Sequence, residues 1–287
     1  MFNKRHIVRT IAATVSILAL SFTAACGSGQ STASNSTDSD DITQQTYKPG
    51  KLTIATGQPA YEPWVMNDKP ESGEGYEAAV AYAVADKLGF KKSDVVWTRT
   101  AFDTAIVPGA KDWDFNIQQF GITDERKKAV DFSSSYYNDS QSVVVKKDSK
   151  FANATKVSDL KDATVGVMVG TLAYDYAKAN IKDDIQTFND DAALAQALDA
   201  GQIDVLVTST VECVYMVQSE QVKDSKVLGR LPDSEDKSGM GIVLPKDSKL
   251  TAAVTKAVDD LNADGTIKKL QDKWLAEYTT DLTELKK

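Results

Sequence analysis

Residues 164–219, TVGVMVGTLAYDYAKANIKDDIQTFNDDAALAQALDAGQIDVLVTSTVECVYMVQS, decide the fold. Short apolar, β-branched runs in this stretch have the composition of strands, and longer runs with apolar residues three and four apart have helical spacing. The predicted strands and helices, in chain order, are Thr164–Met168, Ala173–Ile181, Ala192–Ala200, Asp204–Val207 and Thr210–Ser219. Strands that alternate with helices predict parallel α/β sheets covered by the helices.

The same alternation occurs before and after this stretch. The flanking strand and helix candidates are Lys51–Thr56, Glu74–Leu88, Val95–Thr98, Asp114–Gln118, Gly241–Leu244, Lys249–Leu261 and Ile267–Tyr278. The alternation restarts after Val143–Val145, so the chain contains two series. Two series predict two doubly wound α/β lobes, with ligands bound at the carboxyl ends of the strands.

The amino-terminal residues have the layout of a secretory signal. Lys4, Arg5 and Arg9 precede the uncharged apolar run 11–22, and Thr23-Ala24-Ala25 leads into Cys26. The apolar run is short for a permanent membrane helix. Residues 23–26 resemble the lipobox of bacterial lipoproteins, although Thr23 stands where leucine is usual. We therefore expect residues 1–25 to be a cleaved signal peptide and Cys26 to be lipidated, the alternative being an ordinary signal with an incidental cysteine.

Small polar residues dominate the stretch that follows Cys26. Such a composition cannot bury enough apolar surface to fold, so residues 26–47 are predicted to be a flexible tether. The tether would leave the folded part outside the cytoplasm, anchored to the bacterial cell membrane by its lipid.

Composition excludes several kinds of chemistry. The only histidine, His6, lies in the signal, which rules out a Ser-His or Cys-His pair and a His-containing zinc site in the mature chain. Of the 33 basic residues three lie in the signal, and all 41 acidic residues remain, so the mature net charge is −11. This charge argues against nucleic acid as a partner. Cys213 is the only cysteine besides Cys26, so no internal disulfide is expected.

Residues 121–137 carry the most specific motif. Gly121-Ile-Thr-Asp-Glu-Arg-Lys-Lys128, followed by Ala129–Ser133 and Tyr136-Tyr137, resembles the central motif of polar-amino-acid solute-binding proteins of ABC transporters, which are type II periplasmic binding proteins. Further matches follow in the family's order: Lys51–Thr56, Tyr61–Trp64, Gly75–Glu77, Lys87–Phe90, Asp159–Lys161, Val165-Gly166, Gly170-Thr171, Ala263–Thr266 and Lys273-Trp274. The resemblance covers nearly all of the chain after the tether.

The resemblance implies a set of ligand-binding residues. Arg126, in the first turn of a helix capped by Thr123, would grip a carboxylate of the ligand, the alternative being a surface arginine paired with Asp124 or Asp131. The other implied ligand contacts are Gln119, Gly121, Tyr61, Phe102, Gly170 and Thr171, with Trp64 equally compatible with the core.

Three positions depart from the family pattern. Where the family places aspartates that hold an α-ammonium group, this chain has Gln58 and Ser209, and Met168 stands where a lysine, arginine or glutamine is frequent. Glu212, one turn after Ser209, could supply the missing charge, or it could be a solvated carboxylate at a helix start. Gln58, Gln118 and Ser209 could instead accept hydrogen bonds from the ammonium group as neutral partners. The remaining alternative is that the ligand is not an α-amino acid but an amine-free carboxylate.

A second motif resembles a calcium loop. Asp260, Asn262, Asp264 and Gly265 match its opening, but Gln271 stands at the position of the bidentate glutamate. The family resemblance explains these residues as a turn between two helices. No metal and no cofactor are therefore expected.

The resemblance implies two α/β lobes joined by two crossover strands. Lobe one would comprise residues 48–143 and 240–287, and lobe two residues 144–239, with the ligand between them. The implied function is capture of a small polar amino acid or related carboxylate by a monomer that delivers it to an ABC permease. One alternative is a ligand-sensing subunit of a signalling receptor. Another is a dehydratase or lyase, but the absence of histidine and of an evident pair of cleft acids argues against an enzyme.

Overall fold

The structure is a computed structural model that describes residues 41–279 and 282–287. The predicted signal peptide and the lipidation site at Cys26 lie outside the described residues. The described part contains ten strands: β1 (Leu52–Thr56), β2 (Val95–Arg99), β3 (Phe115–Asn116), β4 (Val130–Tyr137), β5 (Gln141–Lys146), β6 (Val165–Met168), β7 (Gln186–Phe188), β8 (Val205–Ser209), β9 (Ser225–Arg230) and β10 (Met240–Pro245). It also contains seven α-helices: α1 (Tyr76–Lys87), α2 (Phe102–Ala105), α3 (Leu172–Asn180), α4 (Asp191–Asp199), α5 (Thr210–Gln218), α6 (Thr251–Ala263) and α7 (Thr266–Trp274).

The strands form two five-stranded sheets, one in each lobe. The order is β2-β1-β3-β10-β4 in the first lobe and β7-β6-β8-β5-β9 in the second. Each sheet lies against its own apolar core. The predicted class, two doubly wound α/β lobes, is confirmed.

The expectation of parallel sheets is wrong for part of each sheet. Strands β1, β2 and β3 are parallel, as are β6, β7 and β8, but β10 runs antiparallel to β3 and β4, and β5 runs antiparallel to β8 and β9. Both β5 and β10 reach their sheets directly from the opposite lobe. Neither strand is reached through a crossover helix. Parallel pairing requires a crossover connection, so β5 and β10 can pair antiparallel.

The first turn of α1 shows how the sequence fixes local structure. Gly75 precedes the helix with φ of 99°, and a Cβ atom there would lie 2.4 Å from the carbonyl oxygen of Trp64. Only glycine fits this close approach and this left-handed conformation. The buried residues Ala81 and Ala85 of α1 then belong to the apolar core of the first lobe.

The path between the lobes differs from the predicted division at residues 143 and 144. Strand β5 starts at Gln141 and pairs within the second sheet along its whole length, so the chain leaves the first lobe between Tyr137 and Gln141. Val143 is therefore a second-lobe residue. The apolar run Val143–Val145 marked the strand, but the polar residues that begin it gave no signal.

Both ends of the folded part depart from the predicted bounds. Residues 42–44 form a 3₁₀ turn, Ile42 packs against the first core, and the amide of Tyr47 donates to Asp114, so the ordered chain starts before residue 48. At the other end, Leu285 packs in the second core, and Glu284 and Lys286 pair with second-lobe residues. The carboxyl-terminal tail thus lies on lobe two, because the apolar side chain of Leu285 is buried there.

Candidate functional site

A cavity of about 230 Å³ lies between the two lobes. Its first-lobe residues come from the loop after β1, from α2 and from the loop after β3. Its second-lobe residues come from the starts of α3, α4 and α5. These are the carboxyl ends of the parallel strands, where α/β sheets bind ligands. The volume suits a small molecule rather than a polymer.

The structure brings together nearly all of the predicted site residues. Those that line the cavity are Gln58, Tyr61, Phe102, Gln119, Gly121, Arg126, Thr171, Ser209 and Glu212. Trp64, for which a core position was an equal alternative, is fully buried and also borders the cavity. Gly170 is not part of the lining, and its carbonyl group, rather than its amide, faces the site through a hydrogen bond from Arg126.

Arg126 spans the gap between the lobes. Its Nη1 donates to the carbonyl of Gly121 at 2.7 Å in lobe one, and its Nη2 donates to the carbonyl of Gly170 at 2.8 Å in lobe two. The alternative pairing does not occur, because Asp131 pairs with Lys246 and Asp124 with Lys127. A guanidinium group has five N–H donors, so several remain for a ligand.

The helix predicted at Arg126 is a single 3₁₀ turn, residues 126–128. The hydroxyl of Thr123 nevertheless accepts a hydrogen bond from the Arg126 amide at 3.1 Å, as a capping residue would. The turn ends where β4 begins at Val130. The motif therefore positions Arg126 through a tight turn and not through a helix.

An aromatic pair supports the guanidinium group. Phe102 stacks on Phe120 with ring centroids 4.4 Å apart, and the guanidinium carbon of Arg126 lies 5.6 and 5.8 Å from the two centroids. Such contacts hold a cation in place and stabilise it modestly. Phe120, which was not predicted as a site residue, is the fully buried member of the pair.

Tyr61 extends from lobe one to lobe two. Its hydroxyl oxygen accepts a hydrogen bond from the amide of Ala192 at the start of α4, at 3.3 Å. Burial raises the pKa of the Tyr61 hydroxyl, so it stays protonated. Tyr61 thus closes one side of the cavity.

Three carboxyl groups that line the cavity form what we call the acidic wall: Asp139, Asp191 and Glu212. Glu212 is only 4% exposed, so the alternative of a solvated carboxylate does not describe it. Burial and then the neighbouring Asp191 raise the pKa of Glu212 well above its usual range. Burial raises the pKa of Asp191 as well, and that of Asp139 to about 6.

Oxygen atoms of the acidic wall lack protein partners. Oε1 of Glu212 and Oδ2 of Asp139 are buried without a hydrogen bond. Arg126 is the one basic residue among the described residues that line the cavity. Unpaired buried carboxylate oxygens are costly, so this surface is suited to a ligand that brings hydrogen-bond donors or positive charge.

The acidic wall corrects one expectation from the sequence. The cleft was expected to lack an evident pair of acids, yet Asp191 and Glu212 both line it, and Asp191 contributes to the raised pKa of Glu212. Asp191 is the first residue of α4, and Asp139 lies in the segment between the sheets, so neither had a sequence signal beyond helix-start composition. Asp236, which also lines the cavity and lies near Arg126, was missed for the same reason.

Ser209 and Gln58, which stand where aspartates were expected, lie in different surroundings. Ser209 caps α5, since its hydroxyl accepts a hydrogen bond from the Glu212 amide at 3.2 Å. Gln58 lies exposed at the rim of the cavity. Gln118, deeper in the same cavity, has a buried Oε1 without a protein partner.

The segment that resembles a calcium loop is a short turn between two helices. Helix α6 ends at Ala263, α7 begins at Thr266, and Gly265 between them has φ of 77°. Asp260 pairs with Lys256, and Asp264 pairs with Lys87. Within residues 41–279 and 282–287 no cluster of three or more His, Cys, Asp or Glu side chains could hold a metal ion.

Comparison with known proteins identifies the family. The profile of the bacterial extracellular solute-binding proteins, family 3, matches residues 52–277. The L-arginine-binding protein of Pseudomonas aeruginosa is 28% identical over 246 residues, which are 80% of this chain and 88% of that protein. The L-cystine-binding protein TcyJ of Escherichia coli is 29% identical over 77% of this chain and 81% of its own length.

Solved structures give the same result. An ancestral arginine-binding protein bound to arginine has 30% identity and a TM-score of 0.67, over 79% of this chain and 98% of that one. The ancestral amino-acid-binding protein AncCDT-1, a precursor of cyclohexadienyl dehydratase, has 29% identity and a TM-score of 0.65, over 78% of this chain and 95% of that one.

Two α/β lobes with a ligand-sized cavity between them define a two-lobed binding protein. The chain belongs to the bacterial extracellular solute-binding proteins, family 3. The resemblance and the implied solute-binding function are thereby confirmed. None of the helices among the described residues is both long and apolar enough to cross a membrane.

Proposed function

We propose that this protein binds a small amino acid between its lobes, with the ligand carboxylate at Arg126 and a cationic group at the acidic wall. The observation that carries the proposal is the charge arrangement of the cavity. The guanidinium group of Arg126 and the three carboxyl groups of the acidic wall line one cavity, and Glu212 and Asp139 each have an oxygen without a protein partner. An α-amino acid is the simplest molecule with the matching pair of charges.

The carboxylate end has support from both lobes. Arg126 is fixed by two carbonyl groups and two rings, and Thr171 caps the start of α3 beside it. Backbone amides at a helix start carry partial positive charge and bind anions well. Because Arg126 already joins the lobes, a carboxylate bound here would be held by both of them.

The cationic end replaces the charge that Gln58 and Ser209 lack. An ammonium group buried without a negative partner costs several kcal/mol. Glu212 has one oxygen available, and Asp191 and Asp139 lie on the same side. Five carboxyl groups line the cavity against one arginine, which favours a ligand with more than one positive group. Binding proteins for arginine and for cystine are among the relatives, and both ligands have this property.

The first experiment is a calorimetric screen of the twenty common amino acids and L-cystine. Arg126→Ala should reduce the affinity for the best ligand by a factor of 30 or more, because removing one partner of a buried charged pair costs about 2–5 kcal/mol. Arg230→Ala is the matched control, since Arg230 is an exposed arginine that does not line the cavity. An Arg126→Ala affinity within about threefold of wild type would refute the carboxylate site.

The second experiment tests the acidic wall. Glu212→Gln should weaken the best ligand, and the same ligand without its α-amino group should bind more weakly to wild type and equally to both proteins. If the deaminated ligand binds wild type as tightly as the parent, and Glu212→Gln is unimpaired, there is no ammonium site. The natural ligand would then be an amine-free carboxylate.

Delivery and anchoring complete the proposed role. The family relationship supports an ABC permease as the partner of the ligand-bound protein. The sequence at Cys26 supports a lipid anchor that holds the protein outside the cytoplasm, with the binding unit acting as a monomer. The proposed role is binding without catalysis, although the acidic wall makes an assay for dehydratase activity a useful control.

A further inference from the structure

Glu77, in the first turn of α1, is a buried acid that does not line the cavity. It has no exposed surface and no basic partner in any ion pair of the described part of the chain. Such a residue is retained only where its oxygen atoms are satisfied in another way. Three hydrogen-bond donors meet it from two separate segments.

The donors occupy both carboxylate oxygens. Oε1 accepts from the amide of Gln119 at 2.7 Å and from the hydroxyl of Tyr136, and Oε2 accepts from Nε2 of Gln119. Gln119 is also held with φ of 51°, a left-handed conformation that glutamine seldom adopts. Both the backbone and the side chain of Gln119 are therefore tied to one acid.

A carboxylate can only accept hydrogen bonds, whereas a glutamine amide has a donor end and an acceptor end. Above its pKa of about 7 Glu77 is ionised, and it must then face the Gln119 NH₂ group. The other end of that amide, Oε1, is left for the cavity, which Gln119 lines. We propose that Glu77 is a specificity-determining residue that sets the orientation of the Gln119 amide, so that the cavity offers a hydrogen-bond acceptor to donor groups of the ligand. This inference rests on the proposed amino-acid site.

Glu77→Gln is an informative change because it keeps the shape of the side chain. The oxygen of the new amide is needed at the Oε1 position, where the Gln119 amide and the Tyr136 hydroxyl both donate. Its NH₂ group then stands at the Oε2 position, facing Nε2 of Gln119. Two donors cannot bond, so the Gln119 amide should turn over and present its NH₂ group to the cavity.

The binding test, carried out above the pKa of Glu77, compares neutral ligands of which one has a side-chain N–H donor that the other lacks. The ratio of affinities for L-glutamine over the γ-methyl ester of L-glutamate, and for L-asparagine over the β-methyl ester of L-aspartate, should fall by about tenfold in Glu77→Gln for the pair that contacts Gln119. Glu125→Gln is the control, because it removes an exposed carboxylate of the same lobe without touching Gln119. A uniform loss of affinity across all probes would show a merely structural role and overturn the proposal.

A second measurement does not depend on binding. In protein labelled with ¹⁵N-glutamine, the Gln119 side-chain NH₂ signals, assigned by their loss in Gln119→Leu, should be protected from hydrogen exchange in wild type. They should lose that protection in Glu77→Gln. Unprotected signals in wild type, or protected signals in the variant, would overturn the proposal that Glu77 sets the orientation of the Gln119 amide. If wild type binds no probe at all, the proposed function fails, while the exchange result still decides the role of Glu77.

Discussion

The buried acid Glu77 should make stability depend on pH. Burial raises its pKa from 4.5 to about 7, with the hydrogen bonds from Tyr136 and Gln119 opposing the rise. Between these two pH values the folded protein holds a proton on Glu77 that the unfolded chain has lost. The sign is therefore that the free energy of unfolding decreases as pH rises from about 4.5 to about 7.

The magnitude follows from the width of this window. A difference of about 2.5 pH units at about 1.4 kcal/mol per unit gives about 3 kcal/mol for Glu77. Asp139, whose pKa is raised to about 6, contributes in the same direction. Glu77→Gln has no ionisable group at this position. The pH dependence of its free energy of unfolding should therefore lack the contribution of Glu77 and keep that of Asp139.

Urea denaturation of the unliganded protein at several pH values between 4.5 and 8 measures the effect. The wild-type free energy of unfolding should decrease across this range, and the decrease should be smaller in Glu77→Gln by about 3 kcal/mol. Asp139→Asn should remove a separate share. A Glu77→Gln slope that equals the wild-type slope would refute the reasoning that Glu77 is protonated on folding.

Four further outcomes are expected. Gly75→Ala should lower the free energy of unfolding by about 3 kcal/mol, since its Cβ would meet the Trp64 carbonyl and its φ is positive; a chemical denaturation curve that matches wild type would contradict this. Phe102→Ala should weaken ligand binding threefold to tenfold, roughly the value of a cation–π contact and a ring stack, and an unchanged calorimetric Kd would remove Phe102 from the site. Arg126→Lys should restore little of the affinity lost in Arg126→Ala, because lysine cannot bond two carbonyls and a carboxylate in one plane; near-wild-type binding would show that charge alone suffices. Cys26→Ser should release the protein from membranes, and an unchanged membrane fraction would exclude lipidation at this residue.

Much of the fold could be predicted from sequence because its elements have strong periodic patterns. Helix α1 was predicted at residues 74–88 and spans Tyr76–Lys87, and α5 was predicted at residues 210–219 and spans Thr210–Gln218. Strands β4, β7 and β9 were missed. Val130–Tyr137 contains three successive serines, Gln186–Phe188 is short and polar, and Ser225–Arg230 has little apolar alternation. The direction of β5 and β10 depends on the path between the lobes, which local patterns do not encode.

The candidate site shows the same limit. The residues that the family motif carries, such as Arg126, Gln119 and Tyr61, do line the cavity, and their roles stay predictions until binding is measured. The acidic wall could not be predicted, because Asp139 and Asp191 come from segments far apart in sequence. Whether a carboxyl group is buried beside another one depends on tertiary packing, and a single sequence does not reveal it.

The ends of the folded chain lie on different lobes. Residues 42–47 pack on the first lobe, whereas Lys287, after the paired residues Glu284 and Lys286, forms an ion pair with Asp233 of the second lobe. A fluorophore attached near each end would therefore be carried by a different lobe. Energy transfer between the two labels would therefore report any hinge motion during ligand binding. Neither lobe would need an inserted label.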